Sequence, residues 1–124
     1  MENQEKTVVV LGASDNPKRY SNMAVHRLKK QGYRVIPVHP RLKQIEDLEV
    51  CQDLENIRES VHTLTLYVGP MRSRVLADSI IALKPGRVIF NPGCESEVLE
   101  QKLTEHQIPF MKACTLVMLN SCQF

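Results

Sequence analysis

Short β-branched runs alternate with helical repeats along almost the whole chain, and that alternation most limits the folds open to it. Thr7–Leu11 reads Thr-Val-Val-Val-Leu and ends in Gly12. A run without polar alternation belongs to a strand covered on both faces. A helical pattern follows, with Ala24, Val25 and Leu28 on one face and Arg27, Lys29 and Lys30 opposite. Gly32 closes it as a left-handed cap. Residues 33–38 read as a second strand, closed by Pro40. Residues 41–52 read as a polar loop with a short strand near Val50, and 53–60 as a short helix capped by Asp53. Residues 63–68 form a third strand pattern, which Gly69-Pro70 breaks to open a helix with Val75, Leu76, Ile80 and Leu83 as its apolar positions. After the Pro85-Gly86 stop come a strand at 87–90, a helix at 95–106 burying Val98, Leu99 and Leu103, a strand at 108–111, and an apolar tail at 113–119. Strands alternating with helices predict a parallel sheet with helices on both faces, joined by right-handed crossovers.

At 124 residues the chain has the size of one domain, taken as residues 1–124, with no room for a second lobe that closes over a substrate. With 43% hydrophobic and 24% charged residues the composition is that of a globular protein. Sixteen Lys and Arg against fourteen Asp and Glu leave a net charge of +2, which excludes the broad basic surface of a nucleic-acid binder. The polar start Met1-Glu2-Asn3-Gln4-Glu5-Lys6 is no signal peptide, and no run approaches the roughly 20 apolar residues of a membrane span. A cytoplasmic protein is expected. Cys51, Cys94, Cys114 and Cys122 form no Cys-x-x-Cys pair, and the four histidines are scattered, so neither a disulfide framework nor a metal site is expected.

In an open parallel sheet, ligands bind beyond the carboxyl ends of the strands, where the strand order reverses. Four such ends are legible: Gly12-Ala13-Ser14, Val38-His39-Pro40, Val68-Gly69-Pro70 and Asn91-Pro92-Gly93. Each alone is ordinary turn chemistry; four on one edge mark a site. The first loop says most. Gly12 allows a tight turn and a close approach to phosphate, Ser14 and Asn16 offer side-chain donors, and Lys18 and Arg19 bring positive charge before Tyr20 and Ser21 open the helix. The loop is not Gly-x-Gly-x-x-Gly, since Ser14 and Pro17 stand at the second and third glycine positions. The second strand also ends in His39, not in the Asp or Glu that holds the ribose of NAD. With Arg41 and Lys43 just beyond, this end suits a ribose-linked phosphate, either the 2′-phosphate of NADP or the 3′-phosphate of coenzyme A.

From about Val8 to Phe124 the chain resembles the small stand-alone coenzyme A-binding proteins, which share the nucleotide-binding fold of the succinyl-CoA synthetase α-subunit. The resemblance rests on Gly12-Ala13-Ser14 with Asn16-Pro17-Lys18-Arg19-Tyr20-Ser21, on Gly32-Tyr33-Arg34-Val35-Ile36-Pro37-Val38-His39-Pro40, on Asn91-Pro92-Gly93-Cys94-Glu95-Ser96-Glu97, and on Ala113-Cys114-Thr115-Leu116-Val117-Met118-Leu119. It implies a three-layer, Rossmann-like doubly wound domain that holds coenzyme A or an acyl-CoA. By similarity, Gly12, Ala13 and Ser14 would take the pyrophosphate, with Lys18, Arg19 and Ser21 nearby. Val38, His39, Pro40 and Lys43 would border the adenosine end. Tyr67, Val68, Gly69 and Pro70 would flank the adenine or pantetheine, and Asn91, Pro92 and Gly93 the thiol arm. The phosphohistidine domain of the synthetase has no counterpart here, so ligase activity does not carry over.

No Ser/His/Asp arrangement is present, and the candidate reactive groups are Cys94, Cys114, Glu95 and His39. Cys94 precedes a helix start, a setting that can lower a thiol pKa. The residues favour a binding, carrier or sensing module with no catalytic residue. The alternatives are an NADP-dependent reductase or redox sensor, and a structural subunit without ligand. The apolar tail is expected either to pack inside or to form a face for a homodimer or partner subunit.

Overall fold

The computed structural model describes residues 6–124. The polar start at residues 1–5 lies outside them. Five parallel strands form one sheet in the order β2-β1-β5-β6-β7. They are β1 (Thr7–Leu11), β2 (Arg34–Val38), β5 (Thr63–Leu66), β6 (Val88–Phe90) and β7 (Phe110–Lys112), and a separate hairpin joins β3 (Gln44–Ile45) to β4 (Leu48–Glu49). The helices are α1 (Tyr20–Lys30), α2 (Pro70–Leu83), α3 (Glu97–Glu105) and α4 (Thr115–Asn120).

Strand β1 divides the core by its period of two. Val8 and Val10 face the layer of α1 and α4, where they meet Val25, Leu28 and Leu119. Val9 and Leu11 face the layer of α2 and α3, where they meet Ala77, Ile80, Leu99 and Leu103. All five residues of β1 are buried, as a strand covered on both faces requires. The chain winds from β1 through α1 to β2, crosses back to β5, and then proceeds outward through β6 and β7. The strand order therefore reverses between β1 and β5. The expected doubly wound, Rossmann-like sheet is what forms.

Several local expectations are corrected. The loop at 41–52 contains the β3–β4 hairpin, whose two-residue strands are too short to show alternation in sequence. Ile45 anchors it in the core, Glu46 turns it at φ 54°, and an ion pair from Lys29 to Asp47 and the approach of His26 Nδ1 to Glu46 Oε2 at 3.3 Å tie it to α1. The helix expected at 53–60 is a single 3-10 turn, Leu54–Asn56, although Asp53 does cap it by accepting the Glu55 N–H. The third strand stops at Leu66, two residues early. The last strand starts at Phe110, because Gln107 takes a left-handed φ of 60° and Pro109 has no N–H for the ladder. On α2, Val75 is 82% exposed and the buried face is Ser73, Ala77 and Ile80. On α3, which starts at Glu97 behind the Ser96 cap, Val98 points outward at 43% exposure while Leu99 and Leu103 are buried. The apolar tail forms α4, which packs Met118 and Leu119 inward against α1 and leaves Val117 exposed.

Truncating Ile80 to Ala is expected to cost about 3 kcal/mol, whereas Val75→Ala should cost less than about 0.5 kcal/mol. Denaturant midpoints at unchanged slope measure both, and equal losses would contradict the assigned helix face.

Candidate functional site: a cleft at the strand-order reversal

The loops after β1 and β5 meet at the carboxyl edge of the sheet. Gly12 has φ +91°, and a Cβ there would lie 2.8 Å from Val68 Cγ1 and 3.0 Å from the Tyr67 carbonyl carbon and oxygen. Only glycine fits this position, by conformation and by space. Gly12 and Ala13 both donate their N–H to the Val38 carbonyl at 3.1 Å, so the end of β2 is drawn into the same junction. Here opens a cleft of about 740 Å³, within the range of small-molecule sites.

Most of the residues anticipated from sequence are brought together in it. The first loop contributes Gly12, Ala13, Ser14, Arg19, Tyr20 and Ser21; the second contributes Val38, His39 and Pro40; the third contributes Val68 and Gly69; the fourth contributes Pro92. Pro70 stands just outside, as the first residue of α2, where its missing N–H costs nothing. Asn16 and Lys18 do not line the cleft. Asn16 instead shapes the loop: its Oδ1 accepts the Lys18 N–H at 3.0 Å, while its own N–H donates to Ser14 Oγ at 3.0 Å. Lys43 lines a second cleft of about 810 Å³ along β2, which meets the first at Gln52.

The fourth loop divides. Gly93 turns at φ +88° and its N–H donates to Glu95 Oε1. Asn91 is turned into the core. Its Nδ2 donates to Thr65 Oγ1 at 2.7 Å and to the Leu66 carbonyl at 2.9 Å, and its Oδ1 accepts the Thr115 N–H at 2.9 Å. That side chain joins β5, β6 and the start of α4, with its donors and acceptor used internally.

Sequence reasoning left out Gln52, Asp53, Leu54, Arg72 and Leu76, which also line the cleft. Arg72 carried a legible signal. It sits in the first turn of α2, where a cation opposes the helix dipole and is costly unless an anion faces it. The helix termini follow the same logic. Neither α1 nor α2 has a side-chain cap or an acidic residue in its first turn, and both begin at the cleft. Helix α3 has the Ser96 cap and acidic Glu97 and Glu100 in its first turn.

Two titratable groups have settings that bear on chemistry. Burial, with the charge of Glu95 behind it, pushes the Cys94 thiol up. Cys94 is buried and lies three residues before α3 begins, so the lowered pKa expected of a helix start is not found. Tyr67, which lines the cleft, is pushed up to about 12, chiefly by burial. Its hydroxyl is buried next to the Thr65–Thr115 hydroxyl pair without a well-formed bond of its own. Among the described residues no group of three or more His, Cys, Asp or Glu side chains is placed to hold a metal ion.

A glycine-turned cleft at the strand-order reversal defines the class: a Rossmann-like domain with its crevice at the switch point. A model of the CoA binding domain family matches residues 6–120, and the chain belongs to that family. A crystal structure of an uncharacterized protein is 39% identical, with a TM-score of 0.90 over 96% of this chain and 98% of that one. The dinucleotide-forming acetyl-coenzyme A synthetase 1 of Ca. Korarchaeum cryptofilum, solved with phosphate and ADP, is 16% identical with a TM-score of 0.74. That likeness covers 91% of this chain but 28% of the synthetase, and it shows the fold alone. The uncharacterized protein YneT of Bacillus subtilis is 27% identical over 64 residues, 52% of this chain. The match spans about half of that relative, 47% of its length.

Asn91→Ala should lower stability by about 3 kcal/mol, because it strands buried partners on three elements. A loss below about 1 kcal/mol in chemical denaturation would refute that linking role. At neutral pH a soluble thiol reagent is expected to modify exposed Cys122 well before buried Cys94, as peptide mapping would read. Prior labelling of Cys94 would restore it as a reactive group.

Proposed function

We propose that the protein binds coenzyme A or an acyl-CoA in this cleft, as a non-catalytic binding, carrier or sensing module. The observation that carries the reading is the convergence on one cleft of two uncapped helix N-termini, α1 and α2, with Arg19 and Arg72 beside them. Open backbone N–H groups, positive dipole ends and two guanidinium groups form a setting for the pyrophosphate of a nucleotide. Family membership supports coenzyme A as that nucleotide. The adenosine end would lie toward Val38, His39 and Pro40, and Arg41, next to His39, is the basic residue suited to the 3′-phosphate. Lys43, on the other cleft, is left out of that role. The pantetheine arm would run past Gly69 and Pro92.

A binding role is supported by the state of the candidate reactive groups. The Cys94 thiol is buried and pushed up, and His39 Nδ1 already accepts two backbone bonds. Such a module would deliver or report coenzyme A to a partner protein in the cytoplasm. No helix among the described residues is long and apolar enough to cross a membrane.

Calorimetric titration with CoA, acetyl-CoA, dephospho-CoA, NAD and NADPH tests the reading. CoA is expected to bind, and dephospho-CoA to bind several-fold more weakly. Arg41→Ala should close that gap, and Arg72→Ala should weaken CoA by about tenfold, the value of one charge-assisted hydrogen bond. Binding of NADPH without CoA would replace this reading with the reductase one. Absence of heat with every ligand would leave the structural-subunit reading.

A further inference from the structure

His39 stands at the carboxyl end of β2, half-buried on the rim of the cleft. Its Nδ1 accepts the N–H groups of both Arg41 and Leu42 at 3.0 Å. A ring nitrogen that accepts carries no proton, so the neutral imidazole has its proton on Nε2. Two bonds from residues two and three positions ahead close the turn through Pro40. His39 N–H in turn donates to the Cys51 carbonyl at 3.1 Å, which holds the base of the turn to the opposite segment. The ring is therefore the cap that fixes where the chain goes after β2, and with it the place of Arg41.

We infer that His39 is a positioning residue: its neutral, Nε2-protonated ring holds the 39–42 turn closed and sets Arg41 next to the cleft-lining His39, and protonation of Nδ1 opens that turn. A proton on Nδ1 would face two N–H donors in place of accepting them. The charged groups around the ring come from three elements. Arg41 lies in the turn itself, Arg72 comes from α2, and Asp15 from the loop after β1. Burial first, then Arg41 and Arg72, lower the His39 pKa below its ordinary 6.5, with Asp15 acting the other way. Asp53, also on the cleft, has its carboxylate engaged by the Glu55 N–H. Because the folded pKa is depressed, the closed turn is fully present above pH 6.5 and is lost as pH falls through the lowered value.

The consequence for ligand rests on the coenzyme A reading: affinity for a ligand that Arg41 contacts falls on the acid side. His39→Asn is the informative variant. The Asn Oδ1 can accept the same two N–H groups as an Asx-turn acceptor, but it does not titrate. His39→Ala removes the acceptor altogether.

The experiment has two arms. In the free protein, long-range nitrogen–proton NMR of the ring reads the tautomer. Unprotonated Nδ1 at pH 7.5, with the Arg41 and Leu42 amides shifting along the His39 titration, is expected. Protonated Nδ1 at pH 7.5, or amides that ignore the titration, overturns the inference whatever CoA does. In the second arm CoA affinity is compared at pH 7.5 and pH 5. Wild type is expected to lose about tenfold, His39→Asn to hold its affinity, and His39→Ala to be about tenfold weaker already at pH 7.5. Wild-type affinity that rises at pH 5 relative to His39→Asn overturns the positioning role. Failure of wild type to bind CoA at either pH, with the NMR as expected, overturns the coenzyme A reading and leaves the His39 turn established.

Discussion

The close approach of Gly12 to the Tyr67–Val68 segment is the contact on which the rest of the molecule depends. At a φ of +91° and with 2.8 Å between an imagined Cβ and Val68 Cγ1, the first loop can leave β1 only by way of glycine. That tight exit lets the Gly12 and Ala13 amides reach the Val38 carbonyl, so three strand ends from β1, β2 and β5 are joined at one point. A non-glycine residue in this region of conformational space costs on the order of 1–3 kcal/mol before any clash is counted. The cleft is what remains when the two helices leave this junction on opposite faces of the sheet. Fold and site are thus one geometric event: the winding direction reverses between β1 and β5, and the reversal leaves a crevice that no side chain fills.

What could be read in the sequence followed from periodicity and punctuation. The apolar runs at Thr7–Leu11 and 63–68, with Gly12, Gly32 and Gly69-Pro70 between elements, sufficed for the sheet, its parallel sense and the layers. Sequence reading failed where an element is too short to have a period, as in the β3–β4 hairpin, or where tertiary packing chose a face. On α2, Val75 is apolar and expected with Leu76, Ile80 and Leu83 in the core, yet packing against α3 turns Ser73, Ala77 and Ile80 inward. Small residues bring a helix close to its neighbour, and hydrophobicity alone cannot reveal that choice.

The site was legible in its loops but not in its depth. Strand-end punctuation located the residues that make up most of the cleft wall. It could not separate side chains that face the cleft from side chains that hold the loops, because both belong to the same motif. Asn91 illustrates this. It stands among cleft residues in sequence, but its amide knits Thr65, Leu66 and Thr115 together. Asn16 and Ser14 act similarly within their own loop. Lys43, just before the hairpin, lines the cleft along β2 and not the one at the strand-order reversal.

Helix ends give a physical way to tell these cases apart. An isolated helix gains from a capping side chain and an acidic first turn, each contributing about 1 kcal/mol or less. Helix α3 has both, and its N-terminus makes no contribution to the cleft. Helices α1 and α2 have neither, and α2 carries Arg72 in the unfavourable position. In the free protein this arrangement sacrifices stability at two places on the same rim. Such coincident losses are understandable where the missing partner is a ligand, since an anion satisfies the exposed amides, the dipoles and the guanidinium groups together. By the same reasoning the His39 turn is a cap displaced from a helix to a loop: a ring nitrogen takes up the Arg41 and Leu42 amides. Stabilising groups therefore stand at the 39–42 turn and the start of α3, and are absent from the two helix ends on the cleft.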